Sequence, residues 1–176
     1  ASGCLFTAVL RASGAHLGAV IDPAGERVTL IDDTGHVLTK HEALCCVVDL
    51  VTHRVLGDTV ALPVAAPRAT AQILADRGLR VRWTKMSAAA LMEAAAEPGV
   101  GFAADLDGGF ILPGFLAAFD GAATVLKVLD LLAIHTEPLS ELVAKVPPSY
   151  VVHDTVVTPW ESKGTVMRSL VEQNKG

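Results

Sequence analysis

A short charged loop carries side chains that are suited to chemistry. Asp22, Glu26 and Arg27 lie between two short, apolar and β-branched runs, residues 17–21 and 28–31, which are typical of buried strands. A proline and a glycine inside the loop make it stiff and sharply bent. Bent loops at strand ends are where α/β proteins place functional groups, but a plain hairpin turn with solvated charges has the same pattern. Both interpretations stay open.

A second acidic loop lies between two further apolar runs, at residues 103–110. It holds Asp105 and Asp107, followed by Gly108 and a second glycine. A carboxylate accepts paired hydrogen bonds from a diol, so these two acids are candidates for holding sugar hydroxyls. Taken by itself, the octamer favours an ordinary hairpin turn.

Lys85 and Ser87 mark the third candidate, where a predicted strand ends and a predicted helix begins. Ser87 is suited to capping the helix N-terminus, and a lysine beside that terminus makes a candidate phosphate site. Many strand-to-helix junctions share this pattern, so the signal is weak. His36 and His41 do not predict a metal site, because no further histidine or cysteine completes a ligand set with them.

Composition excludes several classes of function. The chain has 176 residues, 51% of them hydrophobic and 19% charged, which is enough for at least one full core. A net charge of −5 without clustered basic residues argues against nucleic-acid binding, and no apolar run is long enough to span a membrane. The three cysteines have no disulfide spacing, which predicts reduced thiols and a cytoplasmic protein.

Hydrophobic periodicity predicts an α/β protein. The predicted helices are residues 2–13, 41–56, 67–76, 87–96, 121–134 and 140–146. The predicted strands are residues 17–21, 28–31, 37–38, 59–64, 79–83, 100–104 and 110–112. Because strands and helices alternate from residue 59 onward, we expect crossover connections and a mixed, mostly parallel sheet.

In this order, the motifs resemble those of the α-D-phosphohexomutases, the phosphomannomutases and phosphoglucomutases. Residues 22–27 are similar to the magnesium loop Asp-x-Asp-Gly-Asp-Arg of the second of that family's four domains. The loop at Asp105 falls where the third domain carries its sugar loop, Gly-Glu-x-Ser-Gly-His, and Asp120-Gly121 follows where an Asp-Gly opens a helix. Residues 139–142, Tyr150 and 158–168 resemble the end of the third domain and the entry into the fourth.

The resemblance implies a domain plan. Residues 1–36 would be the end of the second mutase domain, with its metal loop. Residues 37–148 would form the third, an α/β/α domain of the phosphoglucomutase type, and residues 149–176 would begin the fourth. The flanking segments are therefore expected to be partial domains.

Several positions depart from the family pattern. The second acid of the metal loop is Ala24 and the third is the longer Glu26, which weakens an octahedral magnesium site. In the sugar loop, the family's Glu, Ser and His positions are Asp105, Asp107 and Gly109. The phosphoserine belongs to the first domain, which this chain does not include. We therefore expect no catalytic residue, no bound metal and no cofactor in this chain, although the family uses magnesium.

These departures predict a phosphohexomutase-like module of nucleotide-sugar metabolism that has lost catalysis. It is similar to the mutase-like region fused to actinobacterial nucleotidyltransferases of the mannose-1-phosphate guanylyltransferase type. The expected partners are the other mutase domains, the fused nucleotidyltransferase and a weakly held phosphosugar, but neither nucleic acid nor membrane. Two alternatives remain: a fragment of an active phosphomannomutase or phosphoglucomutase, and a non-enzymatic structural or regulatory domain.

Overall fold

A computed structural model describes residues 2–54, 57–149 and 156–173, with the side chains of the first helix described from residue 7. The helices are α1 Ser2–Ser13, α2 Lys40–Thr52, α3 Arg68–Asp76, α4 Ala88–Ala95, α5 Gly121–Ile134, α6 Leu139–Ala144 and α7 Lys163–Gln173, with a 3-10 turn at Trp160–Ser162. The strands are β1 Gly18–Ile21, β2 Val28–Ile31, β3 Thr59–Pro63, β4 Arg80–Thr84, β5 Val100–Ala104, β6 Phe110–Leu112 and β7 Leu116–Phe119. Within the described part of the chain, no helix is both long and apolar enough to cross a membrane.

The two sheets differ in size and pairing. β1 and β2 form an antiparallel hairpin, and the other five strands form one sheet in the order β4-β3-β5-β6-β7. β3 pairs parallel with both β4 and β5, whereas β6 pairs antiparallel with both β5 and β7. The predicted mixed sheet is thus confirmed, and its parallel part is the three strands connected through α3 and α4.

Sequence periodicity did not predict helix α7, the 3-10 turn that precedes it or strand β7. The β7 sequence, Leu-Ala-Ala-Phe, has no β-branched residue and begins two residues after Gly114. Alanine has a low preference for strands, so local sequence gives little sign of this edge strand. Its pairing with β6 is what defines it.

Two apolar layers enclose the large sheet. On one face, α2 and α5 bury their apolar sides against Val60, Leu62 and Phe102, and the strand β2 contributes Leu30 to the same core. On the other face, α4 packs on a smaller cluster that includes Ala61 of β3. Successive residues of β3 therefore face opposite layers, as in any strand buried on both sides. This is the α/β/α arrangement that the resemblance predicted.

Helix α2 is the most buried helix, and its start is fixed by the sequence. The Thr39 hydroxyl accepts from the Glu42 N–H (3.2 Å), while the Glu42 carboxylate accepts from the Thr39 N–H (2.7 Å). This capping box satisfies two amides that the first turn would otherwise leave unpaired. The predicted helix extended to residue 56, but the observed one ends at Thr52, and residues 55–56 lie outside the described part.

The segments flanking the middle of the chain differ in how they pack. Val28 and Leu30 of the hairpin are buried in the main core, so the hairpin packs directly on the α/β layers. Described residues 156–173 are almost all exposed, and Tyr150 lies outside the described residues. The domain boundaries at residues 36/37 and 148/149 stay predictions.

Candidate functional site

The loop between β1 and β2 is bonded to itself. The Asp22 carboxylate accepts from the backbone N–H groups of Glu26 (2.8 Å) and Arg27 (3.0 Å). The Asp22 N–H donates to the Arg27 carbonyl oxygen, and the Asp22 carbonyl oxygen accepts from the Gly25 N–H. The N–H of Arg27, followed by that of Glu26, lowers the pKa of the Asp22 carboxyl below its ordinary value. The geometry is that of a hairpin turn whose acid supports the turn.

Arg27 joins this loop to the second acidic loop. Its Nε and one terminal nitrogen each lie 3.2 Å from the same Asp105 carboxylate oxygen. The guanidinium also lies over the ring of Phe119, 5.7 Å from its centre, and a weaker pair links it to Glu26 at 3.6 Å. Sequence analysis assigned Arg27 and Asp105 to two separate sites, whereas the structure brings them into one.

The Asp105 carboxylate uses both oxygens in holding its own loop. One oxygen accepts from the backbone N–H groups of Asp107 and Gly109, both at 2.7 Å, and the other accepts from Arg27. Only 15% of the side chain is exposed. A sugar hydroxyl would have to displace one of these charge-assisted bonds to reach Asp105.

Backbone hydrogen bonds also join the two loops to each other and the first loop to the start of α5. The Val28 N–H donates to Gly108 O (2.9 Å), and the Gly121 N–H donates to Gly25 O (2.8 Å). Gly108 has a positive φ of 90°, and a Cβ there would lie 2.5 Å from the Val28 carbonyl oxygen. Glycine is therefore required at residue 108 by both conformation and space.

Asp107 is the more available of the two acids. Its side chain is 61% exposed and forms an ion pair with Lys40, the first residue of α2. Sequence reasoning missed Lys40, because the two residues are 67 positions apart and no local pattern connects them.

A small cavity of about 80 Å³ lies beside the two loops, lined among others by Arg27, Ser87, Asp105 and Asp107. Ser87 caps α4 as predicted, with its hydroxyl accepting from the Ala90 N–H (3.3 Å). Lys85 is exposed and is not part of the cavity wall. The cavity has room for roughly two or three waters, or for a phosphate group, but not for a whole sugar.

The residues of the metal loop do not fit a magnesium ion. Ala24 offers no oxygen, Asp22 is committed to backbone amides, and Glu26 lies beside the Arg27 cation. Magnesium needs several oxygen ligands in near-octahedral geometry. Across the described ranges, no group of three or more His, Cys, Asp or Glu side chains is arranged to hold a metal.

Comparison with known proteins gives a consistent relationship. The chain is 32% identical over 167 residues to a probable phosphoglucosamine mutase of Methanopyrus kandleri, covering 93% of this chain and 36% of that protein. It is 26% identical over 145 residues to a phosphoglucomutase/phosphomannomutase of Thermococcus kodakarensis, covering 82% and 32%. The chain thus spans about a third of the length of these relatives.

The fold has solved counterparts. A phosphoglucomutase/phosphomannomutase family protein from Burkholderia thailandensis superposes with a TM-score of 0.69 at 22% identity, covering 82% of this chain and 31% of that one. Residues 40–150 match the family described as phosphoglucomutase/phosphomannomutase, alpha/beta/alpha domain III. That match covers more than half of the chain and contains the whole five-stranded sheet. The chain therefore belongs to the phosphoglucomutase/phosphomannomutase family, and its residues 40–150 correspond to domain III of that family.

Proposed function

We propose that this chain is the sugar-phosphate-facing part of a phosphohexomutase-family protein, and that its own loops no longer support phosphoryl transfer. The observation that carries the proposal is the closed contact between the two loops. Arg27, from the loop that resembles the metal site, occupies the carboxylate of Asp105, from the loop that resembles the sugar site. The side chains that would contact a substrate instead bind each other and stabilise the fold.

The metal loop has too few free oxygen ligands for a catalytic cation. Phosphoryl transfer needs a cation and a nucleophile held in line with the phosphate. With Ala24 in the loop and Asp22 bonded to two backbone amides, the loop retains too few free carboxylate oxygens for that cation.

The sugar loop keeps one exposed acid that allows weak binding. Asp107 is exposed, and its pair with Lys40 is open to solvent, so a sugar hydroxyl can compete for it at little cost. Ser87 lies on the neighbouring cavity wall. A phosphosugar would therefore be held loosely at the rim of the two loops, without the contacts that position it for reaction.

The wider setting of the proposal is nucleotide-sugar metabolism. We extend the proposal to a polypeptide in which the other mutase domains and a nucleotidyltransferase accompany this chain. Reading the gene upstream of residue 1 tests this extension. An intact phosphoserine loop there would favour an active mutase, whereas a nucleotidyltransferase signature would favour the fusion.

The decisive experiment is a coupled assay on the full-length polypeptide with mannose 1-phosphate, a hexose 1,6-bisphosphate primer and Mg²⁺. We expect no conversion to the 6-phosphate above the blank without protein. Turnover that survives repurification would overturn the proposal and support the active mutase.

Calorimetry tests the metal loop directly. Titrating Mg²⁺ into the unaltered chain should give no saturable heat, while Ala24→Asp should restore an oxygen ligand and give measurable binding. Ala24→Asn is the matched control, because asparagine has the size of aspartate but lacks its charge. Stoichiometric micromolar binding by the unaltered chain would contradict the proposal.

A further inference from the structure

A second cavity, of about 240 Å³, opens away from the two acidic loops. Arg54, Lys127 and Phe115 line it, over a floor that includes Val51 and Leu112. None of the described residues that line it is acidic, although the whole chain carries a net charge of −5. The cavity therefore differs in charge from the rest of the molecule.

Sheet topology places this cavity at the opposite end of the sheet from the candidate site. Asp105 follows the carboxyl end of β5, whereas Gly101, near the start of β5, lies in the wall of the cavity. Because β6 runs antiparallel to β5, the turn between β6 and β7 returns to that same end. At about 3.3 Å per residue, roughly 13 Å of strand separates the two places.

The charged side chains around the cavity carry a net positive charge. Lys127 pairs with Asp130 at 2.9 Å, and no carboxylate of the described residues lies within ion-pair distance of the Arg54 guanidinium. Lys127 first, and Arg54 more weakly, lower the pKa of the Asp130 carboxyl. The local field therefore favours negative charge, and Arg54 has donors available for an anionic group.

Phe115 supplies the other half of the site. Its side chain is 72% exposed at the turn between β6 and β7, where its backbone N–H donates to Leu112 O (2.8 Å). The turn leaves the ring open to solvent in the wall of the cavity that Arg54 and Lys127 also line. An exposed phenyl in the wall of a cavity that also contains a guanidinium is suited to stacking a planar ring.

We propose that this cavity binds an organic phosphate that carries a planar heteroaromatic ring, the chemical class of nucleoside monophosphates. The phosphate lies between Arg54 and Lys127, and the ring lies against Phe115. The cavity is concave and small, which suits part of one such molecule rather than a protein surface. This site is separate from the one behind the proposed function, so neither depends on the other.

Titrations followed by ¹⁵N NMR test the proposal on the 176-residue chain. AMP, GMP and UMP are compared with ribose 5-phosphate, adenosine and inorganic phosphate. We expect saturable shifts at residues 101, 114 and 115 with the nucleotides, and binding at least fivefold weaker for each probe that lacks either the ring or the phosphate. Equal affinity for inorganic phosphate and the nucleotides, or no saturation with any nucleotide at millimolar concentration, would overturn it.

Variants separate the two halves of the site. Arg54→Gln should weaken AMP binding about tenfold, the loss expected for one charge-assisted hydrogen bond. Phe115→Leu should weaken it at least fivefold, and Phe115→Tyr should retain it, because tyrosine keeps the ring. Arg68→Gln, at an exposed arginine on α3, is the matched control and should leave binding unchanged. Unchanged binding in both Arg54→Gln and Phe115→Leu would contradict the assignment.

Discussion

At the carboxyl end of β5, the Asp105 side chain is bonded to the backbone of its own loop and to Arg27. At the other end of the same sheet, Arg54 lines a cavity, and its guanidinium has no ion-pair partner among the described residues. The first arrangement stabilises loops, because each bond it makes is satisfied within the chain. The second leaves its charge available to something else. Charge alone does not identify a site; a charged group can act on a ligand only where the fold has not already used it.

The largest expected effect comes from removing the carboxylate that holds the loop after β5. Asp105→Ala removes the acceptor for two backbone amides and for Arg27, so the free energy of unfolding should fall by about 3 kcal/mol. Urea unfolding measures it. Asp107→Asn is the matched control, since it breaks only the exposed pair with Lys40, and it should cost less than about 1 kcal/mol. Equal costs for the two variants would mean that Asp105 is not the residue that holds the loop.

A smaller effect is expected from the glycine that lets the loops approach. Gly108→Ala combines a positive φ with a Cβ placed 2.5 Å from the Val28 carbonyl oxygen, so it should cost about 2 kcal/mol. Gly25→Ala is the control, because its φ is also positive, at 77°, while no atom lies within 4 Å of the added Cβ. It should cost only about 1 kcal/mol. If the two variants cost the same, close approach of the loops adds nothing to the strain.

The smallest effect concerns pH. The folded-state pKa of Asp22 lies below its ordinary value of 3.8, because the backbone N–H groups of Arg27 and Glu26 favour the charged form. Its contribution to stability is therefore complete above pH 3.8 and is lost as the pH falls through the folded pKa. Asp22→Asn keeps an acceptor of the same shape but does not titrate, so stability should depend less steeply on pH in this range. Unchanged dependence would contradict the assignment.

Much of the fold could be predicted from local pattern. The bounds predicted for β2, β5, β6 and α5 are the observed ones, because each has a clear apolar run between turn or capping residues. Asp120 illustrates the cause, since its side chain accepts from the Ala123 N–H (2.8 Å) and sets the first turn of α5. Strand β7 has no such signal and depends on β6 for its definition.

The candidate site could be predicted only in pieces. Ser87 as a helix cap and the two hairpin loops are local features, and they were found. The pairing of Arg27 with Asp105 joins residues 78 positions apart, and nothing in either loop indicates the other. The sequence therefore indicated the acids, but not that Arg27 and the loop backbone already occupy the carboxylate of Asp105.

The hydrogen bond from the Gly121 N–H to Gly25 O has a consequence for the order of folding. It joins groups 96 positions apart, and the neighbouring bond from Val28 to Gly108 joins groups 80 apart. Such distant contacts close large loops at a higher entropic cost than local contacts, so we expect the hairpin to dock late in folding. The amide protons of Gly121 and Val28 should then exchange with solvent only when the docked hairpin opens, so their protection reports the free energy of that opening.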